Sequence, residues 1–242
     1  KPDVIFSSHV GSIFDELGDG EFGIGFGKVM SSLDTFSLKM TGKESHGAEP
    51  YKARDPFIAT AEILLGVQSI VSREINTKES AVVSFGKIEG GTAANIIPKS
   101  IELEGTVRCT DENIRNYINN RIEEIAYHTA KAYRADIDYN YIYGAPVLEN
   151  NKDLVKEFIE VLRENMPENE YKILDRPTMI GEDFSYFLKE IPGFYYFFGS
   201  KRLIDGAYHA HHTEKFDINE ENLYKVVYIN IMFILKYLSL DN

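Results

Sequence analysis

Only one cysteine, Cys109, occurs in the 242 residues. That excludes an internal disulfide framework and any thiolate cluster within one copy, and it fits a reducing, cytoplasmic compartment. Basic residues are also scarce: 26 lysines and arginines stand against 38 aspartates and glutamates, giving a formal charge of -12. No basic run occurs, so neither nucleic acid nor an anionic membrane surface is an expected partner. Long apolar runs are missing as well. The longest uncharged apolar stretches, around Ile63 to Ser72 and Tyr228 to Leu235, are well short of the about 20 residues that span a bilayer. No secretory leader is recognisable. A strand-like run, DVIFSSHV, begins within the first residues, and from this the chain is expected to be a fragment of a longer protein.

What is present is an alternation of strand and helix patterns. Val4 to Val10 reads as a short buried strand carrying His9 near its end, and a glycine-rich loop (Gly18, Gly20, Gly23, Gly25, Gly27) is expected after it. Thr35 to Thr41 alternates Phe36, Leu38 and Met40 with polar residues. Asp55 and Pro56 then open a helix running to about Glu74. Ala81 to Ile88 and Ile101 to Arg108 read as strands. A second helix starts near Asp111 with Ile114, Ile118, Ile122 and Ile125 on one face, and Ile137, Tyr139, Tyr141 and Tyr143 alternate in a further strand.

Residues 34–144 therefore spell strand, helix, strand, strand, helix, strand, the order of a ferredoxin-like unit. Around it lie a helix near Lys152 to Asn165, a strand at Tyr171 to Leu174, a short helix at Asp183 to Lys189 and the apolar strand Phe194 to Phe198. A closing helix from about Glu220 carries Leu223, Val226, Val227, Ile231, Ile234 and Leu238 as its expected buried stripe. The expected fold class is α/β: residues 1–33 and 145–242 form a partial α/β domain into which 34–144 is inserted.

Two stretches carry candidate chemistry. In Gly86 to Arg108 an irregular glycine-rich loop holding Asn95 joins two strands, and Arg108 falls on the face opposite Val107. Its planar cation, near an amide, suits a carboxylate; a hairpin connection with a solvated arginine fits the same residues. Of the six histidines, His128 reads as a solvated helix residue. His209, His211 and His212 cluster in a loop, either as an exposed polar tract or as metal ligands. His9, near a strand end, sits where α/β sheets place ligands. Two imidazoles could share a divalent ion without completing its shell, since zinc takes three or four protein ligands.

The marks GKESHGAEP at 42–50, DP at 55–56, GGTAANIIP at 90–98, GTVR at 105–108, GEDFSYF at 181–187 and HHTEKFDINEE at 211–221 resemble, in their order, the carboxy-terminal two thirds of a known family. It is the metal-dependent amidohydrolases that include N-acyl-amino-acid hydrolases, hippurate hydrolase and indole-acetyl-amino-acid hydrolases, related to aminoacylase and to dinuclear zinc carboxypeptidases. The resemblance implies a zinc-peptidase-like catalytic domain carrying a ferredoxin-like dimerisation domain. It implies two divalent ions (zinc, manganese, cobalt or nickel) in the complete enzyme, an N-acyl amino acid or small peptide as substrate, and a homodimer formed through the inserted domain.

By the same resemblance His9 and His212 match metal ligands, although Ser7 and Ser8 stand where the family has glycine and leucine, and Glu214 replaces a usual proline. His46 matches the histidine that reaches the partner's site to polarise the scissile carbonyl. Asn95 and Arg108 match positions that hold the carbonyl oxygen or the free carboxylate, and Glu182 sits near the metals. The family's remaining ligands and its general base lie in an amino-terminal stretch with Cys-Gly-His-Asp and a glutamate pair, which has no counterpart here. The chain alone is thus expected to bind metal poorly or not at all and to be catalytically silent or nearly so. A non-catalytic dimerisation or peptide-binding module derived from such a hydrolase is the alternative.

Overall fold

The computed structural model describes residues 1–240. In chain order the elements are β1 (Ile5–Gly11), β2 (Phe22–Gly25), β3 (Gly27–Met30), β4 (Asp34–Thr41), β5 (Ser45–His46), α1 (Pro56–Ser69), β6 (Ala81–Gly90), β7 (Ile96–Ile97), β8 (Ser100–Cys109), α2 (Glu112–Ala132), β9 (Asp136–Ile142), β10 (Leu148–Asn150), α3 (Lys152–Asn165), β11 (Tyr171–Leu174), α4 (Phe184–Glu190), β12 (Gly193–Gly199) and α5 (Leu223–Leu240). They fall into two compact units. Unit 1 comprises Lys1–Met30, Leu148–Thr178 and the described residues from Asp183 onward; unit 2 comprises Ser31–Val147 and Met179–Glu182. The divisions differ from those expected at 33/34 and 144/145 by a few residues. Met179–Glu182 also leaves the segment to which the sequence assigned it.

Unit 1 is built on a mixed sheet in the order β1-β12-β2-β11, with β1 parallel to β12, β12 antiparallel to β2, and β2 parallel to β11. All seven residues of β12 are buried, which is why GFYYFFG reads as an unbroken apolar run rather than an alternating one. Phe194, Tyr196 and Phe198 pack with Phe158 of α3 and Phe233 of α5. Tyr195 and Phe197 point the other way, toward Phe14, Leu17, Met30 and Leu148.

Two expectations fail in this unit. The glycine-rich stretch is not a loop throughout, because Phe22–Gly25 is a fully buried strand. Here the missing side chain is what matters: a Cβ on Gly23 would lie 2.7 Å from Leu17 Cδ1 and 3.2 Å from Leu174 Cδ1. In α5 the buried side chains are Ile229 and Phe233, flanked by the partly buried Val226 and Tyr237, whereas Val227, Ile231, Ile234 and Leu238 of the expected stripe are exposed. A helix apolar on nearly every face gives periodicity nothing to choose between.

In unit 2 the sheet order is β6-β8-β4-β9, all neighbours antiparallel, with α1 and α2 packed on it. Asp55 caps α1 by accepting from the Phe57 N–H, with Pro56 in the first turn; Asp111 caps α2 through the N–H groups of Asn113 and Ile114. Ile101, Leu103 and Val107 of β8 are buried, and Leu103 and Val107 pack in one core with Ile118 and Ile122 of α2.

A buried polar network closes the base of this unit. Asp34, 1% exposed, accepts from Arg115 Nε at 2.7 Å, from the Tyr141 hydroxyl at 2.7 Å and from the Gly144 N–H at 2.9 Å. Arg115 Nη2 donates to the Gly144 carbonyl at 2.8 Å, and Glu112 Oε1 accepts from the Val147 N–H at 3.0 Å. Leu33 N–H donates to the Ala145 carbonyl at 2.9 Å. The entry and exit of the unit are thereby tied to each other and to the first turn of α2.

Candidate active site

The sequence-predicted residues gather in three places. In unit 1, β1 carries His9 into register with Phe197 of β12. Its Nδ1 donates to the Val10 carbonyl at 3.1 Å, which fixes the proton there and leaves the lone pair on Nε2. The ring packed on His9 is that of His211, edge to face with centroids 4.8 Å apart. His211 is held on its other side by Phe216 at 4.2 Å, and its Nε2 accepts from the Ser12 N–H at 3.1 Å. Gly11 makes room for it: with φ at +129° any side chain would be strained, and a Cβ would lie 2.4 Å from His211 Cε1.

His212, the residue singled out by sequence, is exposed and has a left-handed backbone, φ 65°. His211, which the motif treats as a neighbour, is the one whose ring meets His9. The local signal was only the run of histidines; which of two adjacent rings turns inward depends on the backbone at position 212. Burial, then the positive charge that His9 and His212 would carry, pushes the His211 imidazole below its ordinary value. A base depressed on folding favours the fold while neutral, so this contribution is present above about 6.5, the ordinary histidine value, and is lost as pH falls through the folded value. The melting temperature of the chain is therefore expected to drop more between pH 8 and pH 5 than that of His211→Asn. Equal drops would contradict the assignment.

In unit 2, β5 pairs with β7, with Ser45 opposite Ile97 and His46 opposite Ile96, and the Gly47 N–H donates to the Asn95 carbonyl at 2.7 Å. His46 and Asn95 thus share one small ribbon. His46 is exposed, and its Nδ1 accepts from the Ala48 N–H at 3.1 Å, so the proton sits on Nε2, the nitrogen free to donate outward.

Arg108 lies elsewhere in the same unit. The ribbon continues β4 and β8 past the end of the sheet where Thr41 meets Ser100, with Gly42 N–H donating to the Lys99 carbonyl at 2.8 Å. Arg108 is near the opposite end of β8, roughly 26 Å from Ser100 at the usual strand rise. Half-buried, it donates from Nη1 to the Met179 carbonyl at 3.2 Å, within the segment that carries Glu182. Within one copy, Arg108 keeps company with the Glu182 segment, and Asn95 with His46.

Do these residues fit a metal? His9 presents one imidazole lone pair, His211 has spent its own on Ser12, and among the described residues no group of three or more His, Cys, Asp or Glu is arranged to hold an ion. They do not by themselves complete a site that needs three or four ligands.

Residues 1–236 match the family described as Peptidase family M20/M25/M40. The chain belongs to that family. It is 32% identical over 214 residues to the N-acetyl-L-cysteine deacetylase of Bacillus subtilis (strain 168), covering 88% of this chain and 49% of that protein. It is likewise 32% identical over 216 residues to the N-acetyldiaminopimelate deacetylase of Bacillus cytotoxicus, covering 88% of this chain and 54% of that protein. This M20 chain thus spans about half the length of the curated relatives it matches. Among solved structures, one from methicillin resistant Staphylococcus aureus superposes with a TM-score of 0.86 at 26% identity, covering 98% of this chain and 59% of that one. The YXEP protein of Bacillus subtilis, described as a dinuclear metal binding peptidase from the M20 family, gives 0.74 at 24% identity over 96% of this chain and 57% of its own, and shares the fold.

Proposed function

We propose that this chain belongs to a metal-dependent hydrolase, of its relatives' length, that cleaves the amide bond of N-acyl amino acids or short peptides. What carries the reading is the M20 match spanning residues 1–236, within which every mark holding a candidate residue falls. Divalent ions, of the zinc, manganese, cobalt or nickel kind, would be held by His9 and His212 together with ligands this chain does not contain. Such ions polarise a carbonyl and acidify water.

The chain's own residues do the rest. We read unit 2 as the ferredoxin-like insertion through which two copies pair, in a cytoplasmic homodimer. Its His46 is exposed and carries a proton on Nε2, as a group that hydrogen-bonds the developing oxyanion in a neighbouring copy's site would. The separation of the His46 and Asn95 ribbon from Arg108 supports this, since a small substrate cannot bridge roughly 26 Å along one strand. Arg108 would take the substrate's free carboxylate in its fork, Asn95 the amide oxygen from across the dimer, and Glu182 would stand beside the reacting centre.

With no complete metal site among its described residues, the chain alone is expected to release no free amino acid from N-acetyl or benzoyl amino acids, even with zinc added. The protein of full family length is expected to do so. Turnover by the chain alone would contradict the assignment of the missing ligands. Failure of the longer protein on every acyl amino acid and short peptide would favour the non-catalytic module.

A further inference from the structure

The four residues Met179–Glu182 group with unit 2, although the residues on either side of them group with unit 1. They lie against the segment Ser31–Leu33, which leads into β4. The Ser31 N–H donates to the Ile180 carbonyl at 3.2 Å, and Arg108 Nη1 donates to the Met179 carbonyl at 3.2 Å. A Cβ on Gly181 would stand 2.7 Å from Leu33 Cβ, so the backbone has come as close as a residue without a side chain allows. Beneath it Ser31 is fully buried, and its hydroxyl finds no hydrogen-bond partner among the described residues. An orphan hydroxyl opposes closure, because lifting the segment would hydrate it. Opening the strap would bring that hydroxyl to water, which lowers the cost of a local opening there.

We propose that Arg108 is a positioning residue for this strap, and through it for Glu182. The inference rests on the reading of Arg108 as the carboxylate anchor and adds a second duty to the same side chain. A guanidinium has five N–H donors, and the bond to Met179 uses one of them. A substrate carboxylate taken by the others orients the plane that holds the Met179 carbonyl, so a ligand with a free carboxylate fixes the segment that carries Glu182, and one without it does not. Arg108 thereby links which molecule is bound to where the glutamate stands.

Amide exchange followed by NMR on the 242-residue chain tests this. The reporter is the Ser31 amide, bonded to the strap, and the internal reference is the Leu33 amide, bonded to Ala145 and not to the strap. Arg108→Met keeps the aliphatic bulk and removes every donor; it is expected to speed exchange at position 31 roughly fivefold or more relative to Leu33, as losing one net hydrogen bond does. Ser31→Ala removes the orphan hydroxyl and is expected to slow exchange at that position. Gly181→Ala, which forces the strap from Leu33, should raise the absolute exchange rate at Ser31 without touching Arg108. Unchanged exchange at Ser31 in Arg108→Met, with Leu33 still protected, overturns the proposal, even if N-acetyl amino acid binding is lost and the anchor role survives. Faster exchange with acyl amino acid binding intact does the reverse: the strap role stands and the anchor role falls.

Discussion

Asp34→Ala is expected to destabilise unit 2 by about 3–5 kcal/mol, the range found when one partner of a buried ion pair is removed. The reason is what remains. Arg115 is 5% exposed and cannot shed its charge, so the variant leaves a buried guanidinium without its bidentate acceptor, and the Tyr141 hydroxyl and Gly144 N–H lose theirs. The expected signature in urea unfolding, followed by circular dichroism, is a lower midpoint with an unchanged slope. Lys39→Ala provides the contrast. Its pair with Glu102 is half exposed on both sides, and the change is expected to leave the midpoint where it was. If the two variants moved the midpoint equally, the buried network would not be what closes the base of the unit.

The second large effect concerns the hydrolase of full family length proposed above. His46→Ala is expected to lower kcat by about 10²–10³-fold, the usual cost of one oxyanion donor. Arg108→Ala is expected to act mainly by raising KM for substrates with a free carboxylate. If each site draws His46 from one copy and Arg108 from the other, mixing the two variants rescues activity. In a mixed dimer one site keeps both groups and the other loses both, so random exchange of subunits should restore roughly a quarter of wild-type activity at low substrate. Mixtures no better than the average of the separate variants, under conditions where subunits exchange, would show that both groups serve the site of their own copy.

How much of this was legible beforehand follows from where the determinants act. Ile101, Leu103 and Val107 announce β8 because strand alternation is written in adjacent residues, and Asp55 with Pro56 announces α1 because a cap is local. The glycines of β2 look like punctuation unless one knows that Leu17 and Leu174 need the space. The face of α5 was misread because burial there is decided by α3 and the sheet, not by a contrast within the helix. Asp34 and Arg115 lie far apart in sequence, and no spacing rule joins them. At the candidate site the motifs carried the residue types, while the backbone at His212 decided that His211 is the ring resting on His9.

The pairing of Met30 with Leu148 has a bearing on how such a molecule could arise and be rebuilt. The first stretch of unit 1 ends at Met30 and the next begins at Leu148, and the two are partners in the β3–β10 ladder, so unit 1 is left and re-entered at one point, much as at a tight turn, at little entropic cost. A short glycine linker joining Met30 to Leu148 should therefore leave unit 1 able to fold.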